Sequence, residues 1–338
     1  CHPRPVDSFT DWRVFLCIRM TKSYDKPPRD NAYLIDLLME RGLGGTRRDI
    51  EAIVDCVGYY RLTGYLHRFK HPNKEIFHAG LTIQDVWRLY SFDRALRASA
   101  MDAIGRIEVW FRTQLAQEAT YASKDAFEYL RHWEANPKFK SACQSDLEHA
   151  RETLHIKHFH ETYKNPYPPT WMAVEVFSFG TTCQYYRVAD TVVAGRLARR
   201  LGVDRLTVLN WFQILRATRN ICAHHQRLWD VNINAQPNLK QLRHFSELPV
   251  AKTLLTFYTQ HPELRFRIRD NVITRTSAYV PFCLCAHLIG VFRPQSAWQC
   301  RFLSLLKEYL PFLRTRIPEL TTETFRMPGF CDEDFLSQ

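Results

Sequence analysis

The segment RATRNICAHHQRLWD, residues 216–230, combines three arginines and two adjacent histidines with apolar residues. On a helix, Asn220 and His224 are four residues apart and share a face, with Arg216 one turn further back. Arg219 precedes His224 by five residues, which places it about 7.5 Å along the helix axis and about 140° around it. Arg219 can therefore approach the same pocket from its edge.

These residue types suit the cleavage of RNA without a metal. Neighbouring arginines disfavour an imidazolium, and a neutral imidazole can remove the proton of a 2′-hydroxyl as a general base. The oxygen then attacks the adjacent phosphorus, and a guanidinium stabilises the charge that develops. DNA lacks the 2′-hydroxyl and does not react in this way. Alternatively, Arg219 and His224 could form a structural cluster that caps a buried helix end, and on the residue types alone we favour that role.

Three neighbours of this segment are candidates for contact with RNA. Arg216, His225 and Arg227 could bind phosphates, or they could be surface residues that form ion pairs. We favour RNA contact for all three.

A second group of charged residues lies at helical spacing within AIGRIEVWFRTQLA, residues 103–116. Glu108 could orient an arginine or histidine of the first segment from a neighbouring helix. Alternatively, Arg106, Glu108 and Arg112 could form buried ion pairs that fix helix packing. We favour the structural role.

Glu175 lies within the apolar stretch WMAVEVFSFG. An unpaired buried carboxylate is costly, so Glu175 is expected to have a partner, for example an arginine of residues 216–230. A structural role is again favoured. The histidine-rich run HIKHFHETY, residues 155–163, lacks the regular spacing of metal ligands, and His155, His158 and His160 are expected to be exposed to solvent.

Apolar residues recur at helical spacing, and strand-like alternation is rare. Thr82 with Asp85 resembles a capping box, Asp204 can cap another helix, and a third apolar stretch is interrupted near Gly180. Helices are predicted over 31–43, 46–69, 82–122, 171–189, 204–225, 278–292 and 296–310, and within NLKQLRHF and AKTLLTFYTQ. The pattern predicts an all-α fold, with residues 20–338 as a single domain that carries insertions.

The composition is that of a basic chain with enough apolar residues for a core. The net charge of +11 favours a nucleic acid or an anionic surface as partner, although a solvated basic surface fits it equally well. Apolar residues make up 46%, and the ten cysteines include no CxxC pair. We interpret the cysteines as reduced and mostly buried, in a cytoplasmic protein.

The N-terminal residues and the longest apolar run were considered as targeting or membrane segments. Residues 1–19 begin with Cys1 and lack the apolar stretch of a signal peptide, whereas Met20 resembles a natural start. We interpret residues 1–19 as an extension upstream of that start. The run 278–292 is too short to span a membrane and is expected to form a buried helix.

The chain also resembles a known family. RNICAH, Arg219–His224, matches the R-x4-H signature of the HEPN ribonucleases, a short pattern of low specificity by itself. A wider set of blocks resembles the Abi-like bacterial abortive-infection family, of the AbiD/AbiF type, from about Met20 to the C-terminus. These blocks are YDKPPR (24–29), YYRLTGY (59–65), LYSFDRALR (89–97), AIGRIEVWFRTQLA (103–116), PPTWMAVEVFSFG (168–180), RNICAHHQRLWD (219–230) and MPGFCDEDF (327–335). Asp230 departs from the asparagine that is usual in the family after the tryptophan.

The resemblance implies a HEPN-type helical bundle with additional helices. Proteins of this type are often homodimers in which two R-x4-H helices meet and form one composite cleft. Family members act in phage defence, some as RNA-directed toxins, so the resemblance also implies an antitoxin or small non-coding RNA as a possible partner.

Three functional hypotheses follow. The first, which the resemblance leads us to favour, is a metal-independent HEPN endoribonuclease that acts as an abortive-infection toxin. In it His224 is the general base or acid, Arg219 stabilises the phosphate and Asn220 supports their geometry, with no metal or other cofactor. The second is a HEPN-fold protein of phage defence, a sensor or ribonucleoprotein component, that binds RNA without cleaving it. The third is an interaction protein in which Arg219 and His224 are only structural.

Overall fold

The computed structural model describes residues 26–71, 74–229, 233 and 279–316. Within these ranges all regular elements are helices, and the extended pairing consists of the isolated bridges Gly44–Thr82 and Lys70–Phe77. This confirms the predicted all-α fold. The chain divides into two compact units, one from the described residues of 1–63 and 70–83, the other from those of 64–69 and 84–338.

The first unit is built on α1 (Asn31–Glu40) and α2 (Arg47–Val57). Each helix begins at a side-chain cap, because Asp30 accepts a hydrogen bond from the amide of Tyr33 and Thr46 accepts one from the amide of Asp49. The apolar faces of the two helices bury Ile35, Leu38, Ile50 and Val54. A third helix, α3 (Tyr59–Leu66), follows, and its last residues from Gly64 belong to the second unit.

A 41-residue helix, α4 (Ile83–Ser123), provides the core of the second unit. Its buried residues recur every three or four positions, as the sequence predicts: Leu89, Phe92, Leu96, Ala100, Ala103, Ile107, Phe111 and Leu115. The other helices are α5 (Pro137–His149), α6 (Leu154–Thr162), α7 (Thr170–Val176), α8 (Phe179–Val188), α9 (Thr191–Arg200), α10 (Arg205–Ala223), α11 (Tyr279–Phe292) and α12 (Trp298–Arg316). Short 3-10 helices lie at His67–Phe69 and Glu128–His132.

The helix α10 carries the segment with arginines and histidines. It begins at Asp204, which accepts hydrogen bonds from both the amide and the hydroxyl of Thr207, so the predicted cap is confirmed. Its apolar side is buried, and Phe212 stacks on Phe111 of α4 with ring centroids 4.0 Å apart. The polar positions of the same helix, Arg216 and Asn220, are consequently exposed.

The break between α7 and α8 comes two residues before Gly180, as the sequence approximately predicts. Ser178 is extended, and its hydroxyl accepts a hydrogen bond from the amide of Thr181. The amide of Ser178 in turn donates to Asp146 of α5 at 2.8 Å. Hydrogen bonds of the amide and of the hydroxyl of Ser178 therefore fix the turn between α7 and α8.

Several other predictions can be checked in the described residues. His155, His158 and His160 are exposed on α6, as predicted. The predicted burial of α11 is confirmed from Phe282 to Ile289, whereas Gly290 and Val291 are exposed. Cys143, Cys222 and Cys285 are buried, whereas Cys56 and Cys300 are exposed, so burial of the cysteines is only partly confirmed. None of the helices in these ranges has the length and apolar content needed to cross a membrane. The predicted extension 1–19, the segments NLKQLRHF, AKTLLTFYTQ and MPGFCDEDF, and Asp230 lie outside the described residues.

Candidate functional site

The C-terminal end of α10 has a defined turn instead of the helix to residue 225 that periodicity predicts. The helix ends at Ala223, and His224 is the C-cap. The amide of His225 donates to the carbonyl of Cys222 at 3.0 Å, and the amide of Gln226 donates to that of Ile221 at 2.9 Å. These two bonds are those of a Schellman motif, in which the residue after the cap is left-handed. His225 has a φ of 53°, where glycine is usual.

The left-handed backbone at His225 leads to a stability prediction. An L-residue pays roughly 1–2 kcal/mol in this region, and glycine does not. We expect the His225→Gly variant to be more stable than the His225→Ala variant by about 1 kcal/mol, since both lose the same side chain. Urea unfolding of the two variants measures the difference. Equal unfolding free energies would show that the chain leaves the left-handed conformation at little cost.

The three predicted catalytic residues lie together at this helix end. The carbonyl of Asn220 accepts a hydrogen bond from the amide of His224 at 3.0 Å, so the two side chains remain one turn apart as on a helix. Both side chains are exposed, whereas Arg219 is half-buried. A large substrate can therefore reach His224 and Asn220 from solvent, with Arg219 at the border of the core.

Glu108 of α4 lies in electrostatic reach of this helix end. It forms an ion pair with Arg112, and the two side chains are 13% and 12% exposed. Burial raises the pKa of Glu108, and the positive charges of Arg112 and Arg219 oppose that rise. The favoured ion pair is therefore present, and the same carboxylate also acts on Arg219.

The expected burial of the Glu175 carboxylate is wrong. The short helix α7 buries Ala173 and Val174 and turns Trp171 and Glu175 to solvent. Glu175 contacts the Glu108–Arg112 ion pair through its main chain, because its carbonyl accepts a hydrogen bond from Arg112 at 2.8 Å. Periodicity could not show this, because seven helical residues are too few to define a face.

Two other arginines are engaged with the protein itself. Arg227 is half-buried and donates from Nη1 to the carbonyl of Gly64, and its contact with RNA stays a prediction. Arg106 pairs with Asp102 at 2.9 Å, and Asp102 also pairs with Arg301 of α12. Arg227 thus contacts the main chain of α3, whereas Arg106 pairs within α4, where Asp102 provides the contact with α12.

A buried polar network fixes the chain just after the α10 turn, and sequence analysis missed it. Asp93 of α4 is fully buried and accepts hydrogen bonds from the amides of Leu228 and Trp229 at 2.9 and 2.6 Å. It also accepts one from the hydroxyl of Tyr65 at 2.7 Å and pairs with Arg97. Burial is the strongest influence on the Asp93 pKa and raises it, while Arg97 and the N–H and O–H donors lower it.

A signal for this network is present in the sequence. Asp93 and Arg97 are four residues apart in LYSFDRALR, and each directly follows a large apolar residue, Phe92 or Leu96. An acid and an arginine at this spacing on an apolar helical face predict a buried pair, because neither could be buried alone. The sequence does not show that Asp93 also holds the main chain at Leu228, 135 residues later.

Arg216 is exposed and lies beside α8. Its Nη1 is 3.8 Å from the point where a β-carbon on Gly180 would lie. The nearby thiol of Cys183 has its pKa raised by burial to about 12, so it is not a nucleophile at neutral pH.

Comparison with known proteins gives a family. Residues 52–230 match the family model described as Abi-like protein, which is more than half of the chain. The chain belongs to the Abi-like family. Membership associates this Abi-like protein with abortive infection, a form of phage defence. No curated protein and no solved structure gives a significant match.

Three of the blocks that carry the resemblance meet in the structure of this Abi-like protein. Tyr65 ends YYRLTGY, Asp93 and Arg97 belong to LYSFDRALR, and Leu228 and Trp229 belong to RNICAHHQRLWD. The hydrogen bonds of Asp93 join all three blocks. All of these residues lie within the matched range 52–230.

Proposed function

We propose that this Abi-like protein is a metal-independent endoribonuclease of the HEPN type that acts as a toxin in phage defence. His224 serves as the general base or acid, Arg219 stabilises the phosphate, and Asn220 supports their geometry. The observation that carries the proposal is the end of α10, where His224 is exposed one turn from Asn220 and Arg219 lies at the border of the core.

The chemistry requires one proton acceptor and one cation at the reacting phosphate. The imidazole takes the 2′-hydroxyl proton while the 2′-oxygen forms a bond to phosphorus. The bond from phosphorus to the 5′-oxygen breaks, and that oxygen takes up a proton. The products are a 2′,3′-cyclic phosphate and a 5′-hydroxyl, and Arg219 stabilises the negative charge of the phosphorane between them.

The surroundings of Arg219 support its role. Because Glu108 is shared with Arg112 in an ion pair, its single negative charge does not neutralise Arg219 as well. A half-buried guanidinium also loses less freedom on binding a phosphate than a fully exposed one. The site therefore keeps a net positive charge and a restricted arginine.

The chain carries one such site, and we propose that two copies combine. The motif residues Asn220 and His224 are exposed on each copy, so the helix ends of two α10 helices can approach one another. A composite cleft of two weak sites would then cut one RNA.

The test of cleavage uses the wild-type protein and two matched substrates in EDTA. We expect an RNA oligonucleotide to be cut and to leave 2′,3′-cyclic phosphate ends. The same oligonucleotide with 2′-deoxyribose at the mapped cleavage position should remain intact there, because the attacking hydroxyl is absent. Cleavage that requires Mg²⁺, or that leaves the ends of direct hydrolysis, would contradict the mechanism.

A second candidate function is RNA binding without cleavage. The exposed guanidinium of Arg216 favours it, since a phosphate contact there does not depend on His224. Binding that weakens steeply with salt, with no cut ends in the same assay, would support this candidate over the first.

A further inference from the structure

A basic surface beside the candidate site follows the helices α8 and α10. Phe179 and Gly180 of α8 lie beside Phe212 and Arg216 of α10. At the other end of α8, the carbonyl of Arg187 accepts a hydrogen bond from the guanidinium of Arg205, the first residue of α10. The two helices are therefore antiparallel neighbours over most of the length of α8.

Two arginines project from this helix pair into solvent. Arg187 and Arg216 are both exposed, and each makes no ion pair with an acidic side chain in the described ranges. The charges of both act on the thiol of Cys183, which lies between them on α8. Gly180, which lies beside Arg216, and Arg187 are two helical turns apart on α8 and therefore share a face, which places both arginines on one side of the helix pair.

Within the described residues, the acidic groups near this surface form no ion pair with Arg187 or Arg216. Glu108, which also acts on Cys183, forms its ion pair with Arg112. At the far end, both oxygens of Asp204 accept hydrogen bonds from Thr207. Asp204 and the exposed Asp190 keep their negative charges, so the positive charge of the surface is the excess of three arginines, Arg187, Arg205 and Arg216, over these two carboxylates.

The length and direction of the surface indicate the ligand. The α10 residues 205 and 216, which mark its ends, are about 16 Å apart along the helix. Arg216 is followed on the same helix by Asn220 and then by His224 at its end. A strand that reaches His224 would run back along α10 with its backbone next to Arg216 and then Arg187, as single strands follow positive grooves.

We propose that Arg187 and Arg216 form a phosphate-binding track for the single-stranded part of the RNA substrate that flanks the cleavage position. Arg205 supports the track by holding the main chain at Arg187. The inference rests on the proposed function, because it takes RNA as the ligand. It adds a binding surface on α8 that lies outside the R-x4-H segment.

The experiment measures binding without cleavage. The probe is a fluorescent single-stranded 2′-O-methyl RNA of about 12 nucleotides, within the range of single-strand site sizes, whose blocked 2′-oxygen cannot attack phosphorus. Dissociation constants are measured against salt for the wild type and for R187A, R216A and the double variant. The control is R94A, which removes an exposed arginine from α4, 14 residues before Glu108 and thus about 21 Å away along that helix.

Each phosphate contact on a single strand contributes about 0.7 to the slope of log affinity against log salt. We expect R187A and R216A each to make that slope shallower by about 0.7 and the double variant by about 1.4, with R94A unchanged. Slopes of R187A and R216A that equal that of R94A would overturn the track. Thermal midpoints confirm that all variants are folded.

The result is independent of the cleavage test. If the wild type cuts RNA but the arginine variants bind like R94A, the track is wrong and the proposed function stands. If the slopes change as expected but the wild type cuts no RNA, the track stands and the cleavage function fails. Absence of any binding of the probe by the wild type would overturn the track.

Discussion

The His224→Ala variant should lose RNA cleavage by about 10³-fold. A positioned general base contributes about 10²–10⁴-fold to a rate, and alanine cannot replace it. His224 is an exposed C-cap whose turn is made by main-chain bonds, so the free energy of unfolding should change by less than about 0.5 kcal/mol. The measurement is the initial rate of RNA cleavage in EDTA with protein in excess, together with urea unfolding of the same preparation.

The matched control for this variant is His225→Ala. His225 is the adjacent histidine and is also exposed. Because its backbone is left-handed, its side chain points in a different direction from that of a helical residue. The predicted contact of His225 with a phosphate would affect binding and not the proton transfer, so with protein in excess we expect His225→Ala to retain most of the cleavage rate. Equal loss in both variants would indicate a general effect on the turn, and equal retention would place the catalytic base elsewhere.

The Asp93→Ala variant should lose about 3–5 kcal/mol of unfolding free energy. Its carboxylate accepts from two main-chain amides and the Tyr65 hydroxyl, and it pairs with Arg97, which is 7% exposed. Removal of one partner from a buried pair leaves the other charge uncompensated, and here it also leaves two amides without their acceptor. Urea or thermal unfolding of the purified variant gives the difference.

The control for Asp93 is another aspartate on the same helix. Asp102 pairs with Arg106 and Arg301 but is 40% exposed, so water can replace those contacts. Asp102→Ala is expected to cost less than about 1 kcal/mol. A loss at Asp93 no larger than the loss at Asp102 would mean that the buried network does not stabilise the fold beyond a surface ion pair.

The Asp93 network also connects stability with the candidate site. The segment from Gln226 to Trp229 follows the α10 turn directly, and its position depends on α4 through Asp93 and on the contact of Arg227 with Gly64. A variant such as Asp93→Asn, which keeps one acceptor oxygen, should therefore be less destabilised than Asp93→Ala.

Much of the helical architecture could be predicted from local patterns. The recurrence of apolar residues from Val86 to Leu115 predicts α4 almost to its ends, and Asp204 before an apolar periodic segment predicts the start of α10. Both predictions rest on interactions within a few residues along the chain, namely helix periodicity and capping. The end of α10 was misplaced because a left-handed histidine has no strong sequence signal, whereas a glycine would have had one.

The sequence by itself determined the all-α class, the family, and the chemical types present at the end of α10. It also placed Asn220 and His224 one turn apart, since that distance depends only on helix geometry. Only the tertiary structure decided which charged side chains form contacts within the protein and which are exposed to solvent. It engaged Arg227 with Gly64, turned Glu175 to solvent, and placed Glu108 in reach of Arg219. The physical reason is that the state of a charged side chain depends on burial and on partners far away in sequence. Asp93 is anchored to residues 135 positions along the chain, a relation that no local pattern contains.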